Sequence, residues 1–374
     1  MSETSLAISK PLNERLSLLP RLLWQSTLVQ WPFFLIAFAY AFTTWWMARG
    51  IPGYHPLPFN GLALGIITFT FPIGIVAIFL FRLMQYATVL KPDSPVKQMV
   101  TDVVSLVTRP GALITALPLM IAMVLFNKGM LELKPLIPVI KPFTYDQKFM
   151  LWDRALSFGQ DPWVLLQPLF GNDIATFVLS ISYDLWFLAM FGAFMWFGFS
   201  RSFSTLRTQF FIAYMLTWWI GGGLMAVYFS SAGPAYYGDI GLSPNPYQPL
   251  FQFLNDVNTR LPIWNLDMQR FLWDGYASNK DPIGISAFPS MHNGMALLIA
   301  LATWRAHRGL GIALSIFAGL IFIASVHLGW HYAVDGYGAF AVTLVCWWIG
   351  GIVARWHDGL ASTRKLKDSL AALA

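Results

Sequence analysis

HNGMALLIALATWRAHRGLGIALSIFAGLIFIASVHLGWH, residues 292–331, decides the fold. Two apolar runs flank a short polar turn, Arg305-Ala-His-Arg-Gly309, and thirty-eight residues separate His292 from His331. At about 1.5 Å per residue, a helical hairpin of that length goes roughly 28 Å in and the same distance back, close to the thickness of a bilayer's hydrocarbon core. Both histidines therefore return to one membrane surface, each at the end of a span.

Apolar runs of this kind recur outward from the hairpin. Eight spans are expected, at about 29–47, 61–83, 111–127, 174–198, 209–229, 292–306, 309–328 and 333–354, which makes the chain an all-α polytopic membrane bundle. Composition agrees. Of 374 residues, 56% are hydrophobic and only 11% charged, against about 25% charged in ordinary soluble domains. The net charge of +6 is spread through short loops, as membrane topology requires, and argues against a nucleic-acid partner. The lone cysteine, Cys346, lies in an apolar run and excludes both a disulfide framework and a thiolate metal site. Met1–Lys10 is polar and is followed by a proline-broken, partly basic stretch, unlike a cleavable signal peptide; Leu12–Gln25 has the pattern of an interfacial helix.

The N-terminus, Arg82–Pro110, Ser200–Thr208, Arg305–Arg308 and the tail from Arg355 fall on one side of the membrane. That side holds 15 of the 24 Lys and Arg residues against six acids, and the other holds the remaining nine against at least as many acids. Orientation follows the Lys/Arg excess, so both termini are expected in the cytoplasm of a plasma (inner) membrane protein and both histidines on the non-cytoplasmic face. Two outer segments are long, Lys128–Asp173 and Ser230–Pro289, and both are too aromatic to be disordered. The stretch from Tyr145 to Leu156 has helical spacing and is expected to lie on the membrane plane. The expected organisation is residues 1–127 with three spans, 128–173 as an outer amphipathic segment, 174–354 as the bundle that carries the chemistry, and 355–374 as a cytoplasmic tail.

The chemistry-bearing residues sit at the mouth of the hairpin. Ser290 immediately precedes an apolar run and is placed to cap a helix, whose free N–H groups favour an anion. Its hydroxyl is also available to that anion, and it cannot fully serve both. His331 and Asp335 are four apart, hence on one helical face. A carboxylate there holds one imidazole nitrogen and leaves the other lone pair free to attack phosphorus. His292 is then the acid that protonates the leaving oxygen. This division of labour needs no metal and no cofactor. A metal site of His327, His331 and Asp335 suits these surroundings less well than a phosphate.

At these positions the sequence resembles the type 2 phosphatidic acid phosphatase superfamily, which includes lipid phosphatases and vanadium haloperoxidases. Pro289-Ser290-Met291-His292 matches the Pro-Ser-x-His motif, and His331-Tyr-Ala-Val-Asp335, with Leu328-Gly329 before it, matches the end of the third. The resemblance implies His331 as nucleophile, Asp335 as its orienting partner, His292 as general acid and Ser290 as a phosphate contact. Two departures stand out. Ala324-Ser325 occupies the place of the third motif's Ser-Arg, and the Lys/Arg-Pro first motif is absent, Thr108-Arg109-Pro110 being a superficial echo with Asp102 in the lysine position. These departures, and the outer stretch from Trp152 to Pro162, resemble the inositol phosphorylceramide synthase branch, whose members transfer a phospho-headgroup between lipids. The expected substrate is accordingly a lipid phosphate ester met among membrane lipids, with water or an alcohol as acceptor. Lys280 and Arg154 are the favoured sources of the missing positive charge, with Lys148 and Arg270 also on the outer side.

Other readings stay open. A lipid or anion transporter would use the same charges for binding, although no inverted repeat is visible. His327 is balanced between substrate contact and helix packing, and Asp184 between a structural acid and a role near substrate. His55, His307 and His357 read as interfacial, and Gly221-Gly222-Gly223 as a close-packing stripe.

Overall fold

The computed structural model describes residues 12–56, 71–86, 91–108, 111–200, 203–278 and 284–371. All regular structure among them is helical. In chain order the helices are α1 (Leu12–Val29), α2 (Trp31–Ala48), α3 (Phe71–Gln85), α4 (Pro95–Thr108), α5 (Gly111–Ile140), α6 (Asp146–Leu156) and α7 (Pro162–Phe170). Then come α8 (Asp173–Gly198) and α9 (Thr205–Tyr228), α10 (Gln248–Asn258), α11 (Trp264–Ser278), α12 (Met291–Ala306), α13 (Arg308–His327), α14 (Ala333–Asp358) and α15 (Ala361–Ala371).

Six of these, α2, α5, α8, α9, α13 and α14, are long and apolar enough to cross a membrane. Two expected spans are not among them. The span at 61–83 begins outside the described residues, and α3 covers residues 71–83 of it. α12 has 16 residues because Ser290 caps it, so this arm of the hairpin is the shorter one. The polar turn between α12 and α13 is made by His307, whose extended backbone breaks the helix and whose Nδ1 accepts from the Leu310 N–H at 3.2 Å.

α5 departs most from expectation. It does not stop at residue 127 but runs 30 residues to Ile140. At about 1.5 Å per residue it is roughly 45 Å long, so its last turns outrun a hydrocarbon core of about 30 Å. The charges that look like a loop are absorbed on its flank: Lys128 pairs with Glu132 one turn on, and Glu132 accepts from the Tyr54 hydroxyl at 3.1 Å. The stretch expected to be helical at 145–156 forms α6, from Asp146 to Leu156.

The core is rich in aromatic groups. Phe33, Tyr40, Phe126, Phe210 and Phe211 are fully buried between α2, α5 and α9. Arg207 is buried at the start of α9, where its guanidinium donates to the carbonyls of Phe197 (3.1 Å) and Thr115 (2.9 Å), among the last acceptors of α8 and a carbonyl of α5. The glycine stripe lies in a wide π-helical turn, Thr217–Met225. A Cβ on Gly221 would come within 2.9 Å of Met291 Cε, and one on Gly223 within 3.2 Å of the Tyr40 ring. The stripe thus lets the start of α12 settle against α9.

Candidate active site

The start of α12, the turn before α14 and the first turn of α14 meet at one end of the hairpin. Ser290 and His292 open α12, His331 lies in the turn before α14, and Asp335 is in the first turn of α14. The Ser290 N–H donates to the Asp335 backbone carbonyl at 3.0 Å, which ties the two helix starts together. Ser290 is fully buried, and its Oγ accepts from the Asn293 side chain at 3.0 Å and from the Asn293 N–H at 3.4 Å. Its capping role is therefore filled.

His331 Nδ1 lies 3.2 Å from Asp335 Oδ2, the same oxygen that accepts the Tyr332 N–H at 3.0 Å. That arrangement holds the ring through Nδ1. His331 is 8% exposed. Burial drives its pKa down to about 3; the Ala287 carbonyl opposes the shift and the charge of Lys134 adds to it. The imidazole is consequently neutral at physiological pH. The His292 ring lies 6.4 Å from the His331 ring, centroid to centroid.

α8 supplies a wall for His292. The imidazole stacks on Tyr183 (4.5 Å, 18° between planes) and lies 4.1 Å from the Trp186 ring, whose Nε1 donates to the His292 carbonyl at 2.9 Å. Tyr183 is ten residues into α8, so the site is recessed by roughly 15 Å from the start of that helix. Trp330 stacks over the other part of Tyr183 at 6.1 Å and donates to Asn265 Oδ1 at 2.6 Å. Asn265 donates in turn to Asp184 at 3.3 Å, which gives that acid a partner beside the site.

α6 supplies the support beneath α14. Asp153 Oδ2 and Oδ1 accept from the N–H groups of Ala333 and Val334, both at 2.8 Å. Asp146 accepts from Ser231 Oγ (2.8 Å), the N–H groups of Ala232 (3.1 Å) and Gly233 (2.8 Å), and the Tyr332 hydroxyl (3.0 Å). These two carboxylates were not singled out in the sequence. Their only signal is spacing on one face of an amphipathic helix, and their partners lie far away in the chain.

The remaining expected residues distribute as follows. His327 is fully buried, pairs through Nε2 with Thr176 Oγ1 at 2.9 Å and packs against Phe170 and Phe253, so it serves helix packing. His357 is also buried, with Nε2 at 2.7 Å from the Val29 carbonyl. Arg154 is held in a two-pronged ion pair with Asp161, at 2.8 and 2.9 Å, so its charge is already matched. Lys280 lies outside the described residues. At position 325, where the family pattern has arginine, Ser325 Oγ accepts from Asn293 Nδ2 at 3.1 Å.

A family model described as the PAP2 superfamily matches residues 147–349, more than half of the chain. The chain belongs to the PAP2 superfamily. The matched region contains α6 apart from its first residue, Asp146, together with the α12–α13 hairpin and every residue of the His292–His331–Asp335 cluster, whereas α5 lies outside it. Comparisons with curated proteins and with solved structures return no match. For this PAP2 superfamily member, membership supports a phosphatase-type membrane protein, and six apolar helices support its place in a bilayer.

Proposed function

We propose that this PAP2 superfamily protein is an integral membrane phosphatase or phosphotransferase that acts on lipid phosphate esters through a phosphohistidine intermediate, at the non-cytoplasmic face of a plasma membrane. The observation that carries this reading is the oriented His331–Asp335 couple facing a second imidazole 6.4 Å away.

In the first step His331 Nε2 donates its lone pair to phosphorus and forms an N–P bond. The bond from phosphorus to the lipid-side oxygen breaks, and that oxygen takes a proton from the His292 imidazolium. Asp335 holds Nδ1–H and balances the positive charge that develops on the His331 ring. In the second step neutral His292 takes a proton from the incoming hydroxyl, whose oxygen attacks phosphorus. The N–P bond breaks and His331 is restored. Water gives free phosphate or a phosphomonoester, and an alcohol gives a new phosphate ester. The recessed position of the pair, walled by Tyr183 and Trp186, suits a lipid that enters from the side and a headgroup held away from bulk water.

A second observation favours an alcohol acceptor, as in the inositol phosphorylceramide synthase branch. An outer cleft of about 530 Å³ is lined by Asn245, Gln248, Gln252, Asn255 and Asp239. Phe251, also in its wall, lies against Gly329 at the turn that leads to His331. Carboxamides around an aromatic ring are suited to a polyhydroxylated headgroup.

Product analysis tests the whole reading. Purified protein in detergent is given labelled phosphatidic acid or a labelled glycerophospholipid, with and without a polyol or long-chain alcohol. Phosphoryl products that require His331 are expected. A His331→Ala variant that folds normally and retains turnover would sink the mechanism, and release of free phosphate unaffected by any acceptor would exclude obligate transfer.

A further inference from the structure

The two imidazoles of the site are supported in different ways. His331 has a carboxylate, Asp335, at its Nδ1. His292 has none: among the described residues its ring nitrogens make no hydrogen bond or ion pair. The two carboxylates nearby are engaged elsewhere. Asp335 Oδ2 is shared by His331 and the Tyr332 N–H, and Asp184, beside Tyr183 on α8, is turned to Asn265 at 3.3 Å. Burial and the charges of His331 and Lys134 work against a proton on this ring. Yet the first step of transfer draws on that proton. What surrounds the ring is aromatic.

Tyr183 and Trp186 are three residues apart on α8, so both can face α12. The Tyr183 ring lies nearly parallel to the imidazole, 4.5 Å away and 18° apart in plane, and the Trp186 ring lies 4.1 Å away at 40°. A cation is drawn to the negative face of an aromatic ring within about 6 Å. The stack is itself braced. Trp330 lies parallel to Tyr183 at 6.1 Å and 11°, and its Nε1 donates to Asn265 Oδ1 at 2.6 Å. Asn265 is tied back to α8, donating to Ser180 Oγ at 3.0 Å. Tyr183 is 4% exposed, and its hydroxyl has no hydrogen-bond partner among the described residues. A buried hydroxyl left unpaired is a cost to the fold, so the useful part of Tyr183 is its ring.

We propose that Tyr183 and Trp186 are positioning residues that hold His292 as an imidazolium, with aromatic faces standing where a carboxylate would otherwise pair with it. The assignment rests on the phosphoryl-transfer reading above. A π face steadies positive charge but accepts no proton, whereas a carboxylate would compete with the substrate for it. In the first step the N–H proton passes to the lipid-side oxygen as that oxygen's bond to phosphorus breaks. The electron pair of the N–H bond stays on the ring, which is left neutral and ready to act as the base of the second step.

Leaving-group chemistry tests this apart from folding. Purified full-length protein in detergent, in excess, is mixed with phosphatidic acid or with a nitrophenyl phosphate ester, and release of the leaving group is followed over a single turnover. An alkyl oxygen needs a proton to depart and an acidic phenol does not. The variants are Tyr183→Leu, Tyr183→Phe and Trp330→Leu, with His292→Ala as reference and melting curves as folding controls. In Tyr183→Leu the alkyl-ester rate is expected to fall about 10- to 100-fold, and the aryl-ester rate by no more than about 3-fold. Phenylalanine keeps the ring and is expected to restore the alkyl-ester rate to within about 3-fold of wild type. Trp330 is partly exposed, and its leucine variant should show the same ester dependence at smaller size. It decides the question if Tyr183→Leu does not fold. Equal losses on the two esters in a folded leucine variant, no loss at all, or a Tyr183→Phe as slow as Tyr183→Leu, overturns the role of the aromatic faces alone. A His292→Ala variant with no ester-dependent loss overturns the acid assignment itself, and this inference with it.

Discussion

Asp153 on α6 holds the N–H groups of Ala333 and Val334 at 2.8 Å each, across 180 residues of sequence in the first case. The carboxylate therefore sits on the free N-terminal donors of α14, the helix that begins immediately after His331. A helix N-terminus carries roughly half a positive charge and favours such a partner. In the proposed mechanism Asp335, one residue past Val334, orients the nucleophile, so the contact bears on catalysis. Moving the start of α14 moves Asp335 away from His331 Nδ1.

Removal of this cap should therefore be felt in turnover as well as in stability. Asp153→Ala leaves two buried N–H groups without acceptors, a cost of about 1–3 kcal/mol for each such group. A melting temperature several degrees lower is expected, together with a kcat loss greater than the KM change. A variant that loses stability but keeps its full kcat would show that the cap serves the fold alone.

The same carboxyl group sets a pH dependence. Burial raises its pKa to about 7; the Ala333 and Val334 N–H groups work against the shift, and the charges of Asp335 and Asp161 reinforce it. The folded pKa exceeds the unfolded value, so the native protein holds a proton between about pH 4 and 7 that the unfolded chain does not. Stability conferred by this group is thus greatest below pH 4 and declines as pH rises towards 7, by roughly 1.4 kcal/mol per pKa unit of difference. Asp153→Asn should flatten that part of the curve. Denaturation midpoints measured from pH 4.5 to 7.5 give the comparison, and parallel slopes in the two proteins would contradict it.

Asp335→Asn probes orientation without removing volume. The amide retains one acceptor, yet its two possible orientations no longer fix which His331 nitrogen carries the proton. By the logic of hydrolase triads, kcat should fall by about three to four powers of ten with KM little changed. Steady-state kinetics on one substrate are sufficient, and a loss confined to KM would place Asp335 outside the chemical step.

His292 has a distinguishable signature. If it protonates the leaving oxygen, His292→Ala should lose most activity towards alkyl phosphate esters but far less towards esters of an acidic phenol, whose leaving group needs no proton. Equal losses on both ester classes would argue for a binding role instead. Because His331 stays neutral down to about pH 3, acid inactivation between pH 5 and 7 should not arise from the nucleophile.

Much of this was legible in the sequence because it is written locally. The hairpin follows from two apolar runs and a polar turn; His331 does pair with Asp335, but from the turn before α14 and not from a shared helical face. Cross-chain features were not legible. Lys128, Glu132 and Lys134 with Pro135 and Pro138 look like a loop, but their helix persists because Lys128 and Glu132 neutralise each other one turn apart. Arg154 was favoured because nothing nearby in the sequence reveals that Asp161 folds back on it. Asp146 and Asp153 gain meaning only when α6 docks beneath α14. The wall formed by Tyr183 and Trp186 likewise depends on α8 lying beside α12.

The central claim is a covalent phosphoryl adduct on His331. Brief reaction of the purified protein with a radiolabelled lipid phosphate, an alkaline quench and peptide mapping read it out. The account predicts an acid-labile, alkali-stable label on the peptide that contains His331, absent from His331→Ala. A label on another residue, or turnover that survives in His331→Ala with no label anywhere, would contradict it.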